Sequence, residues 1–285
     1  MNPSPRATVT RFETQGVRLE MAARPSPDVL RPWVRQCAGY VETATGPLVR
    51  TELPGPTVVV IIELGPPLRL HEALDPARTA RFAGGFAAGL DERPTLTTHD
   101  GFQTGVQVSL TPIAARRFFD LPMSELAGRI VSLRDLLPRE QRTLAERLAE
   151  LPDWDARLDV VEALLARRIA ASPARTDIVA WACDRIERAP AVELKTLARE
   201  LGYSQKHVID LFRQHVGMPP KQFSRIVRFD RLVQHLRGGG RGSWAELAAR
   251  FGWYDQAHLS IDVKRITGMP PSRARALLLG LPDTR

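Results

Sequence analysis

The side chains in this chain that could carry chemistry are few and scattered. His71 and His99, with Glu63, Glu72 and Asp100, are the candidate metal ligands, and their spacing matches no recognised metal motif. Cys37 and Cys183 stand far apart, without metal or redox spacing, and read as reduced, packed thiols. There is no nucleophile elbow, phosphate-binding loop or dinucleotide fingerprint. The glycine-rich run at 83–89 reads as a strand with a bulge, not a phosphate cradle. No cofactor is implied. An enzymatic reading reduces to one alternative, a metal-dependent enzyme on an N-terminal β region with an accessory DNA-binding module.

Charge gives a stronger signal. The 285-residue chain has a formal net charge of +8. Residues 1–175 carry 22 Lys+Arg against 21 Asp+Glu, a net of +1, while residues 176–285 carry 18 against 11, a net of +7. All four lysines, Lys195, Lys206, Lys221 and Lys264, lie in the second part. A basic C-terminal part on a neutral N-terminal one points to nucleic acid or an anionic surface as partner. Apolar residues at 44% and charged residues at 25% make the chain globular rather than disordered. The first twenty residues lack a signal-peptide pattern, and the longest apolar run, 58–64, is interrupted by Glu63 and too short for a bilayer. A cytoplasmic protein with no membrane partner is expected.

The basic part contains an internal repeat. Leu197-Ala-Arg-Glu-Leu-Gly202, running on through His207 to Gly217-Met-Pro-Pro220, matches Leu247-Ala-Ala-Arg-Phe-Gly252, running on through His258 to Gly268-Met-Pro-Pro271. Each copy reads as a short helix, a tight turn and a longer helix closed by glycine. Ala198 and Ala248 are small enough for helices to cross closely. Gly202 and Gly252 supply the positive φ that ends the first helix, and Ser204 and Asp255 suit the N-cap of the second. This is the helix-turn-helix plan, whose second helix enters the major groove.

Between the copies, residues 220–236 predict one helix with Phe223, Ile226, Val227, Phe229, Leu232, Val233 and Leu236 largely on one side. At 1.5 Å per residue it is about 25 Å long, enough to set two reading helices roughly one DNA turn apart. Arg225, Arg228 and Arg231 on it are candidate phosphate contacts, or else take part in a solvated face or salt bridges to Asp230.

Upstream, residues 1–28 read as a loose arm with one strand at most. Strands are expected at 33–41, 57–63, 80–87, 95–99 and 104–110, the last two flanking Asp100-Gly101 as a hairpin, so that a small sheet or barrel forms. Helical periodicity follows at 113–119, 123–126, 138–151 and 155–171. Thr176 is expected to cap a helix running to about 189, and the division into domains 1–175 and 176–285 is placed there. The predicted class is α+β: a small N-terminal β-rich domain with following helices, then an all-α domain.

Residues 176–285 resemble the DNA-binding domain of the AraC/XylS family of bacterial transcription regulators. The resemblance rests on Leu197-Ala-Arg-Glu-Leu-Gly-Tyr-Ser, His207-Val-Ile-Asp-Leu-Phe212, Gly217-Met-Pro-Pro-Lys-Gln-Phe223 and Arg228. In the second copy it rests on Glu246-Leu-Ala-Ala-Arg-Phe-Gly-Trp-Tyr-Asp-Gln-Ala-His-Leu and Lys264-Arg-Ile-Thr-Gly-Met-Pro-Pro-Ser. More weakly, the stretches at 105–113 and 131–137 are similar to the sensor halves of one branch of that family.

The resemblance implies base contacts from Ser204, Gln205, Lys206, Ile209 and Asp210, with Arg213 near the backbone. In the second unit it implies Tyr254, Gln256, Ala257, Ser260 and Ile261, with Lys264 and Arg265 nearer the phosphates. Gln bonds adenine in a bidentate way, Lys reaches guanine, and Ala or Ile packs on a thymine methyl. Asp210 and Asp262 depart from the family pattern: each must accept from a cytosine amino group, pair locally or face away. Val263 stands where Phe212 stands in the first copy, so the second unit reads as less firmly packed, and Ile261, Asp262 and Val263 together make it read as more of a backbone anchor. His207 and His258 are assigned to packing and capping, and Trp244 and Trp253 to core. The resemblance also implies a small-molecule effector in the β region, with Trp33, Tyr40, Phe82, Phe86, His99 and Phe102 as candidate lining, or else a role in homodimerisation through 138–171. Double-stranded promoter DNA and RNA polymerase are the implied macromolecular partners.

Overall fold

The computed structural model describes residues 6–14, 16–72, 75–138 and 140–279. Alternating, β-branched stretches produce eleven strands: β1 (Thr8–Thr14), β2 (Val17–Ala23), β3 (Val34–Ala44), β4 (Leu48–Glu52), β5 (Val58–Glu63), β6 (Arg69–Glu72), β7 (Asp75–Arg81), β8 (Phe86–Ala88), β9 (Thr95–His99), β10 (Phe102–Leu110) and β11 (Ile130–Ser132). They form a seven-stranded sheet in the order β1-β2-β3-β10-β5-β8-β11 and a four-stranded sheet in the order β4-β9-β6-β7. The N-terminal segment is therefore a hairpin and not a loose arm: β1 pairs antiparallel with β2, from Thr8 opposite Ala23 to Thr14 opposite Val17.

Two further expectations are corrected. The segments at 95–99 and 104–110 do not form a hairpin with each other. β9 pairs with β4 and β6, whereas β10 pairs with β3 and β5, so the Asp100-Gly101 corner carries the chain from one sheet into the other. The expected strand at 80–87 is likewise divided, with β7 ending at Arg81 and β8 beginning at Phe86 in the other sheet. Local turn chemistry identifies a reversal but not which strand the reversed chain will pair with.

Helices α1 (Pro112–Phe119), α2 (Leu133–Leu136), α3 (Gln141–Glu150) and α4 (Trp154–Ala171) follow, with a 3₁₀ turn at Met123–Glu125. Thr111 and Asp153 cap α1 and α4 by accepting from Ala114 N and Ala156 N. α4 is fixed to the residue that follows β2, Arg24, whose buried guanidinium meets Glu162 at 2.6 Å and also bonds Asp159. Seven helices follow among the described residues: α5 (Asp177–Arg188), α6 (Leu194–Leu201), α7 (Gln205–His215), α8 (Pro220–Arg237), α9 (Trp244–Phe251), α10 (Gln256–Thr267) and α11 (Pro271–Leu278). Thr176 stands at the N-cap of α5, but its hydroxyl accepts from Arg117 Nε at 3.0 Å instead of capping the helix. The class is α+β: a β-rich N-terminal region followed by a helical C-terminal region.

The apolar core is divided unevenly. One cluster runs from Leu30 through the large sheet, α1 and α4, past position 176, to Val208, Phe212, Val216 and the N-terminal half of α8. A second gathers Phe229, Leu232, Val233 and Leu236 of α8 with Leu247, Trp253, Leu259, Val263 and Ile266. α8 is thus the shared beam, its first half sunk in one core and its second half in the other. Cys37 and Cys183 are both buried free thiols, and burial pushes the Cys37 thiol up to about 12.

Candidate nucleic-acid interface and internal cavity

Each repeat folds as a helix-turn-helix. α6 ends at Gly202 with φ +72° and α9 at Gly252 with φ +85°, a left-handed conformation open to glycine without strain. Ser204 and Asp255 then cap the second helix of each unit, accepting from His207 N at 3.2 Å and His258 N at 2.8 Å. The side chains of Gln205, Lys206 and Asp210 on α7, with Arg213 one turn on, face outward. Ile209 is half-buried, and Ser204 is exposed at the cap. Tyr203 is also exposed and packs its ring 4.6 Å from that of His207. In the second unit Tyr254, Gln256, Ala257, Ile261, Lys264 and Arg265 are exposed, and Ser260 is half-buried with its hydroxyl donating to Gln256 O.

Both acidic departures are resolved. Asp210 pairs locally with Arg213 at 3.7 Å. Asp262 faces away from the outer surface altogether: it is 3% exposed, on the inner face of α10. Its carboxylate accepts from Trp253 Nε1 at 2.8 Å and pairs with Arg225 at 2.9 Å, with Arg228 at 3.4 Å and with His258 at 3.7 Å. Val263 is fully buried beside it. Neither side chain is on the outer face of α10, whereas Ile261 between the exposed positions is.

Arg225 and Arg228 are corrected at the same point. They do not reach outward as phosphate contacts, because both sit with Asp262 in a buried network. Arg225 also bonds Glu92, from the loop between β8 and β9, while Arg228 stacks over Trp253 and reaches Pro190 O. Burial beside Arg225 pulls the Arg228 guanidinium below its usual value. Arg231 bonds the Glu187 carbonyl instead of Asp230. Three arginines spaced three apart along a helix carry no sign of which ones turn inward. Glu92, which anchors the group from the β region, has no local signature at all.

The candidate metal ligands are not brought together. His99 Nε2 lies 3.0 Å from Glu42, Glu63 accepts from Leu68 N at 2.9 Å, His71 Nδ1 meets Thr79, and Asp100 pairs with Arg69. The side chain of Glu72 lies outside the described residues. Among the described residues no helix is long and apolar enough to cross a membrane.

A cavity of about 570 Å³ lies between the two sheets and is closed on one side by α8. Tyr40 and Phe86 line it, with Ile61, Leu68 and Leu70 adding apolar surface. The other four expected lining residues do not. Trp33 sits under Arg117, Phe82 packs its ring 6.1 Å from that of Phe86, His99 is bonded to Glu42, and Phe102 is 42% exposed. The charged lining was not foreseen: Glu42, Arg50 and Glu52 come from the sheets, Asp91 and Arg93 from the β8–β9 loop, and Asp230 and Arg237 from α8.

Comparison with known proteins agrees with this geometry in the C-terminal part. Residues 197–276 match the family model of a helix-turn-helix domain. No curated protein sequence matches the chain. Among solved structures, similarity is found to unsaturated fatty acid-bound wild-type ToxT from Vibrio cholerae, at 9% identity and TM-score 0.46 over 85% of this chain and 99% of that one. The C-terminal domain of AraT, a response regulator from Geobacillus stearothermophilus, is 21% identical with TM-score 0.34 over 35% of this chain and 85% of its own. The AraC-like transcriptional activator CuxR is 16% identical with TM-score 0.26 over 82% of each chain.

Proposed function

We infer that this chain, whose residues 197–276 form a helix-turn-helix domain of the AraC type, is a sequence-specific regulator of bacterial promoters. The observation that carries the reading is the pair of N-capped helices, α7 and α10, whose outer faces bear amide, lysine, arginine and apolar groups while the acids are paired or turned inward. On the first face Gln205 and Lys206 read base edges, with Ser204 and Ile209 flanking them and Arg213, paired with Asp210, at the phosphates. On the second, Gln256 reads an edge, Ala257 and Ile261 pack on thymine methyls, Ser260 and Tyr254 lie alongside, and Lys264 and Arg265 meet phosphate. Affinity falls steeply with salt, because each phosphate contact releases counterions.

The N-terminal region, which we place at 1–175, acts as the sensor, with a small-molecule effector in the cavity against α8. Binding there shifts the equilibrium of the bound helix and through it the recruitment or blocking of RNA polymerase. The protein works in the cytoplasm, as a homodimer or a monomer. Pull-down of genomic DNA on the full chain tests the reading. Recovery of a few promoter regions sharing a motif supports it, and recovery of DNA without sequence preference contradicts it.

A further inference from the structure

The loop between β8 and β9, residues 89–94, touches two parts of the molecule at once. Its base is fixed. Leu90 is buried, its carbonyl accepts from Gly128 N at 2.9 Å, and Gly89 lies so close to the Leu126 carbonyl that no Cβ would fit there. Beyond the base, Asp91 and Arg93 pair with each other at 2.9 Å and line the cavity. Glu92, between them, bonds Arg225 on α8 instead. Arg225 in turn pairs with Asp262 at 2.9 Å, and Asp262 accepts from Trp253 in the turn before α10. The side chains of Glu92, Arg225 and Asp262 are 17%, 10% and 4% exposed, so these contacts are little screened by solvent. The first unit has no counterpart. Counting from His207 and His258, Leu211 stands where Asp262 stands, and it packs against the large core. The carboxylate is therefore no requirement of the helix-turn-helix itself.

We propose that Glu92 is a positioning residue for base reading by the second unit: through Arg225 and Asp262 the β8–β9 loop sets the orientation of α10, and a change at the cavity wall reaches α10 by this route. Two carboxylates, Glu92 and Asp262, meet two guanidinium groups, Arg225 and Arg228. Withdrawal of Glu92 leaves Asp262 to serve both cations, and a buried charge deprived of a partner is strongly unfavourable. Arg225 then shifts toward Asp262, and α10 moves with the carboxylate it carries. α7 rests on apolar packing through Val208 and Phe212 and has no such exchange of partners. Because Asp91 and Arg93 stand on either side of Glu92 in the cavity wall, whatever displaces them displaces Glu92.

The proposal rests on the reading of α7 and α10 as base-reading helices and of the cavity as the effector site. The test titrates the full chain with a recovered promoter fragment and with its single-base-pair variants, discrimination being the ratio of the two affinities. Glu92→Gln is expected to lower discrimination about fivefold or more at the base pairs under α10 and to leave it unchanged under α7. Glu92→Asp, which keeps the charge, should lose less. Partial unfolding would instead scale every affinity by one factor and leave the ratios intact. Ala88→Leu adds bulk to the cavity wall beside the loop. It should alter discrimination under α10 alone, and the alteration should vanish in the Glu92→Gln background; Ala88→Val gives the same readout should the leucine variant fail to fold. Unchanged ratios in Glu92→Gln, an equal fall under both helices, or an equal loss in Glu92→Asp would overturn the positioning role while the regulator reading stands. An Ala88 substitution without effect, or with the same effect in both backgrounds, would overturn the relay from the cavity. If no fragment is bound with sequence preference, the regulator reading falls and this proposal with it.

Discussion

The two helix-turn-helix units are near copies in sequence and are mounted in different ways. The first shares its core with the β region: Val208, Phe212 and Val216 belong to the cluster that begins at Leu30, and Gly217, just past α7, lies against the backbone of Met123. The second has a core of its own, built on the C-terminal half of α8, with Leu53 packed against it from outside. Beyond that apolar core, its ties run through a polar group. Asp262 gathers Trp253, Arg225 and Arg228, and Arg225 continues to Glu92. A unit embedded in a large apolar core is held by many small contacts. A unit with a small core of its own leans more heavily on such a carboxylate.

The largest expected effect follows directly. Asp262→Ala strands two buried guanidinium groups, at a cost of about 3–5 kcal/mol. It should melt the second unit separately from the rest, splitting one calorimetric transition into two; a single unsplit transition at the wild-type temperature would erase the distinction. Next, Leu259→Ala should cost about 2–5 kcal/mol, confined to the second unit. Phe212→Ala, at about 3–5 kcal/mol, should lower the stability of the β region as well, because its core is shared. Hydrogen exchange resolved along the chain reads the difference, and equal spreading from both substitutions would break the comparison.

A pH titration sharpens it further. Burial pushes the Glu63 carboxyl from an ordinary 4.5 up to about 7. The folded state therefore holds a proton that the unfolded chain gives up, so this stability is full below about 4.5 and is lost as pH rises through about 7. The loss is up to about 3 kcal/mol and should fall on the body containing Glu63. Glu63→Gln should flatten the profile between those values. An unchanged pH dependence of melting in that variant would remove Glu63 from the account. The smallest effects are at the DNA surface. Lys206→Ala should cost about 1–3 kcal/mol on specific DNA and less on random DNA, whereas Lys264→Ala should weaken both equally and reduce the salt slope by about one.

What the sequence disclosed follows the range of the forces involved. The doubled unit was legible because its determinants are local: a glycine at a positive φ, a cap residue two or three positions on, and an apolar period along each helix. The inward turn of Arg225, Arg228 and Asp262 was not, since it depends on Trp253 and Glu92 arriving from elsewhere. The exchange of strands between sheets at Gly101, and the charged lining of the cavity from Arg50 to Arg237, were hidden for the same reason. Aromatic residues in a β region mark core and cavity alike, and only Tyr40 and Phe86 of the six expected lining residues face the space.

The central claim is that two reading helices on one α8 beam contact DNA together. A footprint of the full chain on a recovered promoter fragment, followed by a base-substitution scan across it, tests this most directly. The account predicts two protected major-groove segments about one helical turn apart on one face, each with base pairs whose substitution costs about 1–3 kcal/mol. One protected segment, or protection that no base substitution alters, would contradict it.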